Sequence, residues 1–262
     1  MALETNLKGC SAVVTGASEG IGRATARLLA SEGANLILSA RNAGRLAELK
    51  AELEPAHGVT VTCYPLDLTK SEDQAALSAA GASADILVNS AGSIPKGRID
   101  EIEEEEWRGH WDLKVFSTIN LCRDFYAAMK ARGDGVILNV IGNGGEKPVS
   151  DYICGGAANA ALMAFTRALG GDAPKDGIRA VGLNPGPVAT EKLVGMMKKA
   201  ARDKWDDESR YNEFLTPFAF ERAATVEEIA NMAVFLVSDL SSYTSGTIVT
   251  VDGGMVHKGP LF

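Results

Sequence analysis

Thr15-Gly16-Ala17-Ser18-Glu19-Gly20-Ile21-Gly22 decides how the rest of the chain is read. It follows an apolar run, Ser11 to Val14, that reads as a buried strand. It leads straight into Ala24-Thr25-Ala26-Arg27-Leu28-Leu29-Ala30, which reads as a helix. Glycines at such a turn bring bare backbone close to a ligand, and the free N–H groups of the helix start favour an anion, commonly a diphosphate. A tight turn that binds nothing has the same appearance, so the other strand ends must separate the two readings.

Outward from that loop, strand-like and helix-like segments alternate. The strands are Asn35–Ser39, Val59–Tyr64, Ile86–Asn89, Gly135–Ile141, Arg179–Leu183 and Thr247–Val251. Between them lie helical patterns over Asn42–Leu53, from Ser71, over Glu103–Asp112 and Leu113–Arg132, over Tyr152–Leu169, and from Thr225 to Val237. Apolar strands alternating with amphipathic helices predict an α/β fold with a doubly wound parallel sheet of the Rossmann type. With no repeat and no linker-like shift in composition, residues 1–262 are expected to form a single domain.

Composition narrows the function classes. A net charge of −8 argues against a general binder of nucleic acid or anionic membranes. No apolar run approaches the length of a membrane span, and Met1-Ala2-Leu3-Glu4 does not open a secretory leader, so a cytoplasmic protein is expected. Cys10, Cys63, Cys122 and Cys154 are widely spaced and read as reduced thiols, and three histidines make a His-rich metal site improbable. The run Glu103-Glu104-Glu105-Glu106 reads as a solvated helix start and not as a metal site. Trp107, Trp111, Phe116 and Phe125, at near-helical spacing, read as core or subunit contact.

Ligands of doubly wound sheets bind at the carboxyl ends of the strands. The opening loop has the spacing G-x-x-x-G-x-G. After the second strand comes Ser39-Ala40-Arg41-Asn42, with no acidic residue to take ribose hydroxyls; Arg41 can pair with a 2′-phosphate, whereas Glu19 counts against one. NADP is therefore expected, with NAD as the alternative. Asp67, beside Leu68, offers a carboxylate to the adenine amino group, and Asn89-Ser90-Ala91-Gly92 places small residues where a cofactor passes close to backbone. Pro185-Gly186-Pro187-Val188-Ala189-Thr190 makes a rigid turn ending in a hydroxyl.

Together these segments resemble the short-chain dehydrogenase/reductase family, and the resemblance runs to Gly254. Thr15 to Gly22 is similar to that family's cofactor loop, Asn89-Ser90-Ala91-Gly92 to its N-A-G strand end, Asn184-Pro185-Gly186 with Thr190 to its nicotinamide-side turn, and Val251-Asp252-Gly253-Gly254 to its last strand. The resemblance implies a seven-stranded parallel sheet, an NAD(P)(H) cofactor, hydride transfer between an alcohol and a carbonyl, and a homotetramer or homodimer. It also implies cofactor contacts at Gly16, Ser18, Glu19, Gly20, Ile21, Gly22, Arg41, Asp67, Leu68, Asn89, Ala91, Gly92, Tyr152, Pro185, Gly186, Val188 and Thr190.

The family uses a Ser to hold the substrate oxygen, a Tyr as acid/base, a Lys four residues after the Tyr, and an Asn on the preceding helix. Tyr152 matches the tyrosine. Gly156 stands at the lysine position, Gly142 at the serine and Lys114 at the asparagine, and the loop from Gly142 to Tyr152 is a few residues short. A phenol near its reference value of about 10 is a poor base at neutral pH without a nearby cation. Lys114 is therefore expected to take over the electrostatic role toward Tyr152, and Asn143 to replace the serine as hydrogen-bond donor. Asn159, in an alanine-rich helix, reads as a packing hydrogen bond.

The segment from about 188 to 222 is expected to cap the substrate site. Its Leu193, Met196, Met197, Trp205, Tyr211, Phe214 and Phe218 suggest a fairly hydrophobic small-molecule substrate. The reading that results is an NAD(P)(H)-dependent oxidoreductase interconverting a secondary alcohol and a carbonyl. The alternative is a catalytically impaired protein on the same fold that binds NAD(P) as a sensor or partner subunit.

Overall fold

Seven short runs, each apolar on both faces, have to be covered on both sides, and they pair side by side. They are β1 (Ser11–Thr15), β2 (Asn35–Ser39), β3 (Val61–Tyr64), β4 (Ile86–Asn89), β5 (Gly135–Val140), β6 (Ile178–Pro185) and β7 (Ile248–Val251) in a computed structural model that describes residues 4–259. The opening tripeptide, part of the stretch read as no leader, lies outside the described residues. Every pairing is parallel, in the order β3-β2-β1-β4-β5-β6-β7. The chain winds outward from β1 to β3 and then returns to β4. The crevice of this sheet is therefore at the carboxyl ends of β1 and β4.

Parallel strands need crossovers, and eight α-helices are present among the described residues: α1 (Gly20–Ser31), α2 (Ala43–His57), α3 (Ser71–Ala80), α4 (Glu104–Trp111), α5 (Ser117–Arg132), α6 (Ile153–Asp172), α7 (Glu191–Trp205) and α8 (Val226–Val237). The pleat of β1 sorts them into two layers. Ala12 and Val14 pack with Leu29 of α1, Leu46 and Leu49 of α2, and Ile229 of α8. Val13 points the other way, into Leu77 of α3 and Leu121, Phe125 and Met129 of α5, with Phe165 and Leu169 of α6 against the same cluster. Each large side chain so buried contributes about 1.5–3 kcal/mol of transfer free energy.

The expected elements appear with shifts at their ends, and two features are additional. Segment 188–222 contains α7, whose start is capped by the Thr190 hydroxyl accepting from Leu193 N at 3.2 Å. The junction between the two helices read at Asp112/Leu113 is a π turn, Asp112–Phe116, joining α4 to α5. Glu104, Glu105 and Glu106 occupy the first turn of α4, where carboxylates complement the helix dipole. Phe125 is core, whereas Phe116 is half exposed. The start of α8 carries a full capping box, Thr225 with Glu228, and Arg222 clamps the same Glu228 carboxylate at 2.8 and 2.6 Å.

The placement of α6 matters most for the site, and a glycine controls it. A Cβ on Gly170 would overlap the Ala180 carbonyl oxygen of β6 and lie 2.6 Å from Gly246 Cα, so the helix rests directly on sheet backbone. Gly170→Ala is expected to destabilise the fold by about 1–3 kcal/mol by overpacking. The melting temperature checks this; an unchanged value would show that α6 is not held at that distance.

Candidate active site

The glycine loop is folded as tightly as its sequence suggests. Gly16 (φ +66°) and Gly20 (φ +55°) both adopt backbone that favours glycine. A Cβ on Gly16 would lie 2.9 Å from Ser90 O, and one on Gly22 would overlap the Gly16 carbonyl, 2.8 Å from its carbon. The Thr15 hydroxyl accepts from Ser90 N and from Ala91 N, each at 3.0 Å, tying the end of β1 to the end of β4. Gly16, Ser18, Gly20, Ile21, Gly22, Ala91 and Gly92 are thereby gathered around one crevice. Its lining is backbone that a side chain would fill, which fits an extended diphosphate cofactor.

The outer rim carries charge. Arg41 is exposed, and its charge helps to hold the Asp67 carboxyl below the usual carboxylate value. The Thr69 backbone N–H is the leading cause there, burial opposes it, and the Thr69 hydroxyl adds to it. Glu19, which counted against a phosphate, is paired with Arg45 at 2.7 Å, and the same guanidinium reaches Glu191 at the start of α7 at 3.0 Å. Part of the unfavourable charge is thus offset by an arginine that the sequence reading did not single out. The Leu68 side chain is core, 3% exposed, and its carbonyl accepts from Gln74 Nε2 at 2.8 Å, so a cofactor contact at Leu68 would be made by its backbone N–H. Asn89 also sits beneath the surface. Its Nδ2 donates to Asn139 Oδ1 at 3.0 Å, and Asn139 Nδ2 in turn reaches the Thr166 hydroxyl of α6 at 2.9 Å.

Toward the other end, Pro185 closes β6 and Gly186 packs so closely on Asp252 that a Cβ there would lie 2.7 Å from the Asp252 Cβ. Val188 is 7% exposed and bridges to Ala224, and Thr190 spends its hydroxyl on the cap of α7. Asn143 spends one of its two amide N–H donors on Asp252 Oδ2, 3.2 Å from its Nδ2, and keeps the other. Burial pushes the Asp252 carboxyl up, but the Asn143 amide and the N–H groups of Val256, Gly254 and Met255 bring it below its ordinary value. Glu146 is also bound: Asn184 Nδ2 and the Thr250 hydroxyl reach its Oε1 at 2.7 and 2.6 Å.

The start of α6 does not follow the expected register. A Cβ on Gly142 (φ +129°) would lie 3.0 Å from Asn159 Nδ2, whereas one on Gly156 would meet the Gly144 carbonyl at 3.2 Å and then Pro148. Asn159 is therefore the α6 side chain that faces Gly142, and Gly155, four residues before it, lies under the Tyr152 ring. Moving the register from Tyr152 to Gly155 adds three residues to the loop, which accounts for its apparent shortness. The Tyr152 ring is folded back over Gly155: a Cβ on Gly155 would fall inside that ring, and one on Gly144 would lie 3.1 Å from Tyr152 Cε1. Burial raises the Tyr152 hydroxyl above its ordinary value, and the Cys154 thiol adds in the same direction. The expected lowering by Lys114 is not found. Asn159 is 2% exposed, and its Oδ1 has no hydrogen-bond partner.

Lys114 is instead held elsewhere. It projects from the π turn, its methylenes pass Gly92, where a Cβ would lie 3.2 Å from Lys114 Cδ, and its Nζ donates to the Ile141 carbonyl at 2.7 Å. Burial, and secondarily the charge of Lys192, push it down to about 8. Lys192, on α7, reaches the Ser93 hydroxyl at 2.6 Å. In segment 188–222, Trp205 and Phe214 stack on each other with centroids 4.9 Å apart, and Arg210 lies 4.5 Å over the Trp205 ring. Those two aromatics therefore satisfy one another, which weakens the case for a hydrophobic substrate.

Known proteins agree with this architecture. A family model described as enoyl-(acyl carrier protein) reductase matches residues 16–256. L-sorbose reductase from Gluconobacter frateurii, solved with NADPH and L-sorbose, superposes with a TM-score of 0.93 at 34% identity, covering 98% of this chain and 100% of that one. Galactitol 2-dehydrogenase (L-tagatose-forming) of Cereibacter sphaeroides is 35% identical over 254 residues, 95% of each chain. Dehydrogenase/reductase SDR family member 6 of Rattus norvegicus is 33% identical over 249 residues, 95% of this chain and 98% of that protein. The chain belongs to the short-chain dehydrogenase/reductase family.

Proposed function

We propose that the protein is an NADP(H)-dependent oxidoreductase that interconverts a secondary alcohol and its ketone, with small hydroxylated ketones as the first substrate class to try. The observation that carries this reading is the crevice itself, where Gly16 and Gly22 leave no room for a side chain against neighbouring backbone. When bound, NADP(H) supplies or accepts the hydride. The α1 start and the loop N–H groups hold the diphosphate, and Asp67 accepts from the adenine amino group. Arg41 favours the 2′-phosphate, and Arg45, shared between Glu19 and Glu191, offsets part of the opposing charge. L-sorbose and galactitol, named for relatives about one-third identical, guide the choice of ketone.

The residues around the reacting centre support two readings of the chemistry. Burial raises the Tyr152 hydroxyl above its ordinary value, so at neutral pH it is a poor base for an alcohol, and the first reading needs another group to exchange the proton. The second reading, cofactor binding without turnover, draws on the same start of α6, where Gly155 and Asn159 occupy the places of the family's tyrosine and lysine. Segment 188–222 acts as the lid in the first reading, and Arg45 links its first turn to the glycine loop. Exposed Phe116, Phe235 and Tyr243 support self-association as a homotetramer or homodimer.

Fluorescence titration is expected to show NADPH binding more tightly than NADH, and Gly22→Ala is expected to abolish binding of both. Absorbance of the reduced cofactor should then fall with at least one ketose in a panel of ketoses and simple ketones. Binding with no turnover across the panel would replace the first reading by the second; no binding would sink both. Light scattering on the eluting protein is expected to give a mass of two or four chains, and a monomer would remove the self-association reading.

A further inference from the structure

We infer that Lys114 is the group that exchanges a proton with the substrate oxygen, the inference resting on the oxidoreductase reading above. The geometry carries it. The π turn at Asp112–Phe116 sets Lys114 at the junction of α4 and α5, and such turns recur at functional sites. Its stem runs along Gly92 at the end of β4, and its Nζ is fixed 2.7 Å from the Ile141 carbonyl at the end of β5, next to Gly142. The two strand ends that border the hydride-transfer region by resemblance thus converge on one nitrogen. An ammonium has three N–H donors; one is spent on Ile141 and the others remain for a substrate oxygen.

The surrounding groups leave few competitors. From α6 come Tyr152, folded onto Gly155, and the buried thiol of Cys154; from α4 comes His110, whose Nδ1 bonds the Ser93 carbonyl; from α7 comes Lys192. Among these the charge that acts on Lys114 is that of Lys192, and it works in the same direction as burial, toward a value of about 8. Just past β4 and β5, the Gly92 backbone lies along its stem and the Ile141 carbonyl accepts from its Nζ. An acid that titrates near the working pH transfers protons far better than a phenol raised above about 10.

In the reductive direction the carbonyl carbon takes a hydride from the reduced nicotinamide. The carbonyl π pair moves onto oxygen and forms a new O–H bond with a proton from Lys114. The N–H bond breaks, the ketone is reduced to an alcohol, the nicotinamide is oxidised, and Lys114 is left as an amine that water reprotonates. Oxidation of the alcohol runs the same steps backward with Lys114 as base. Ketone reduction therefore falls as pH rises through the Lys114 value, and alcohol oxidation rises.

The test uses the full chain with NADPH and any ketone found to turn over. Lys114→Met removes the proton, and Lys114→Arg keeps the charge while giving up no proton at neutral pH. Both are expected to lower kcat at least about 100-fold, to keep NADPH affinity within a few-fold, and to lose the pH break near 8. A second readout needs no turnover: acetylation of Lys114 in the cofactor-free wild type by acetic anhydride, followed by mass spectrometry across pH, should show a midpoint near 8. The inference is overturned if Lys114→Arg keeps kcat within tenfold of wild type, if the pH break survives in Lys114→Met, or if the labelling midpoint stands at the ordinary lysine value of about 10.4. A wild type that binds NADPH but reduces no ketone counts against the oxidoreductase reading, while the labelling midpoint still decides how Lys114 titrates.

Discussion

The Thr15 hydroxyl, accepting from two successive backbone N–H groups of the β4 end, is the contact on which the crevice depends. It pulls the ends of β1 and β4 together at the point where the sheet reverses direction, and Gly16 is then pressed against Ser90 and Ala91. No residue with a Cβ fits at Gly16 or Gly22 under that constraint. Backbone thus approaches backbone closely between the two strand ends. The same approach sets where Gly92 lies, and through Gly92 where the Lys114 stem can pass.

The second half of the site has been rebuilt around absences. Gly142, at the serine position by resemblance, sits in backbone that favours glycine and faces Asn159, and on the register proposed above Gly155 and Asn159 take the tyrosine and lysine positions. Two longer side chains come in from outside that set. The Tyr152 ring covers Gly155 from one turn earlier, and Lys114 reaches across from the π turn to the end of β5. Asn159 Oδ1, buried and without a partner, is an unmet acceptor beneath the same loop. Gly155 therefore has a definite job, because any side chain there would displace the tyrosine.

The fold was legible because its signals are local. β1, β2 and β4 begin and end where their apolar runs do, and the Thr225/Glu228 capping box marks the α8 start in plain sequence. Helix α7 was read only as part of a lid segment, although it is amphipathic and capped by Thr190; its packing partner, Phe214 against Trp205, lies in the following turn. At the site, the glycines of the opening loop and Gly92 lie close to neighbouring protein atoms, as turns of that composition suggest. Where the Tyr152 ring lies was not legible, because the sequence gives the letter and not the fold-back of the ring onto Gly155. The only warning was the short loop. Arg45 gave no signal, because its role arises from ion pairs with residues 26 positions before it and 146 after it.

On the reading proposed above, the cofactor site is retained beside a proton path that runs through Lys114. A crystal structure of the chain with NADP and a ketose bound measures it most directly. Lys114 Nζ is expected within hydrogen-bond reach, about 2.6–3.2 Å, of the ketone oxygen, with the Tyr152 ring still lying on Gly155. A ketone oxygen bonded to the Tyr152 hydroxyl, with Lys114 still held only by Ile141 and out of reach, would contradict it.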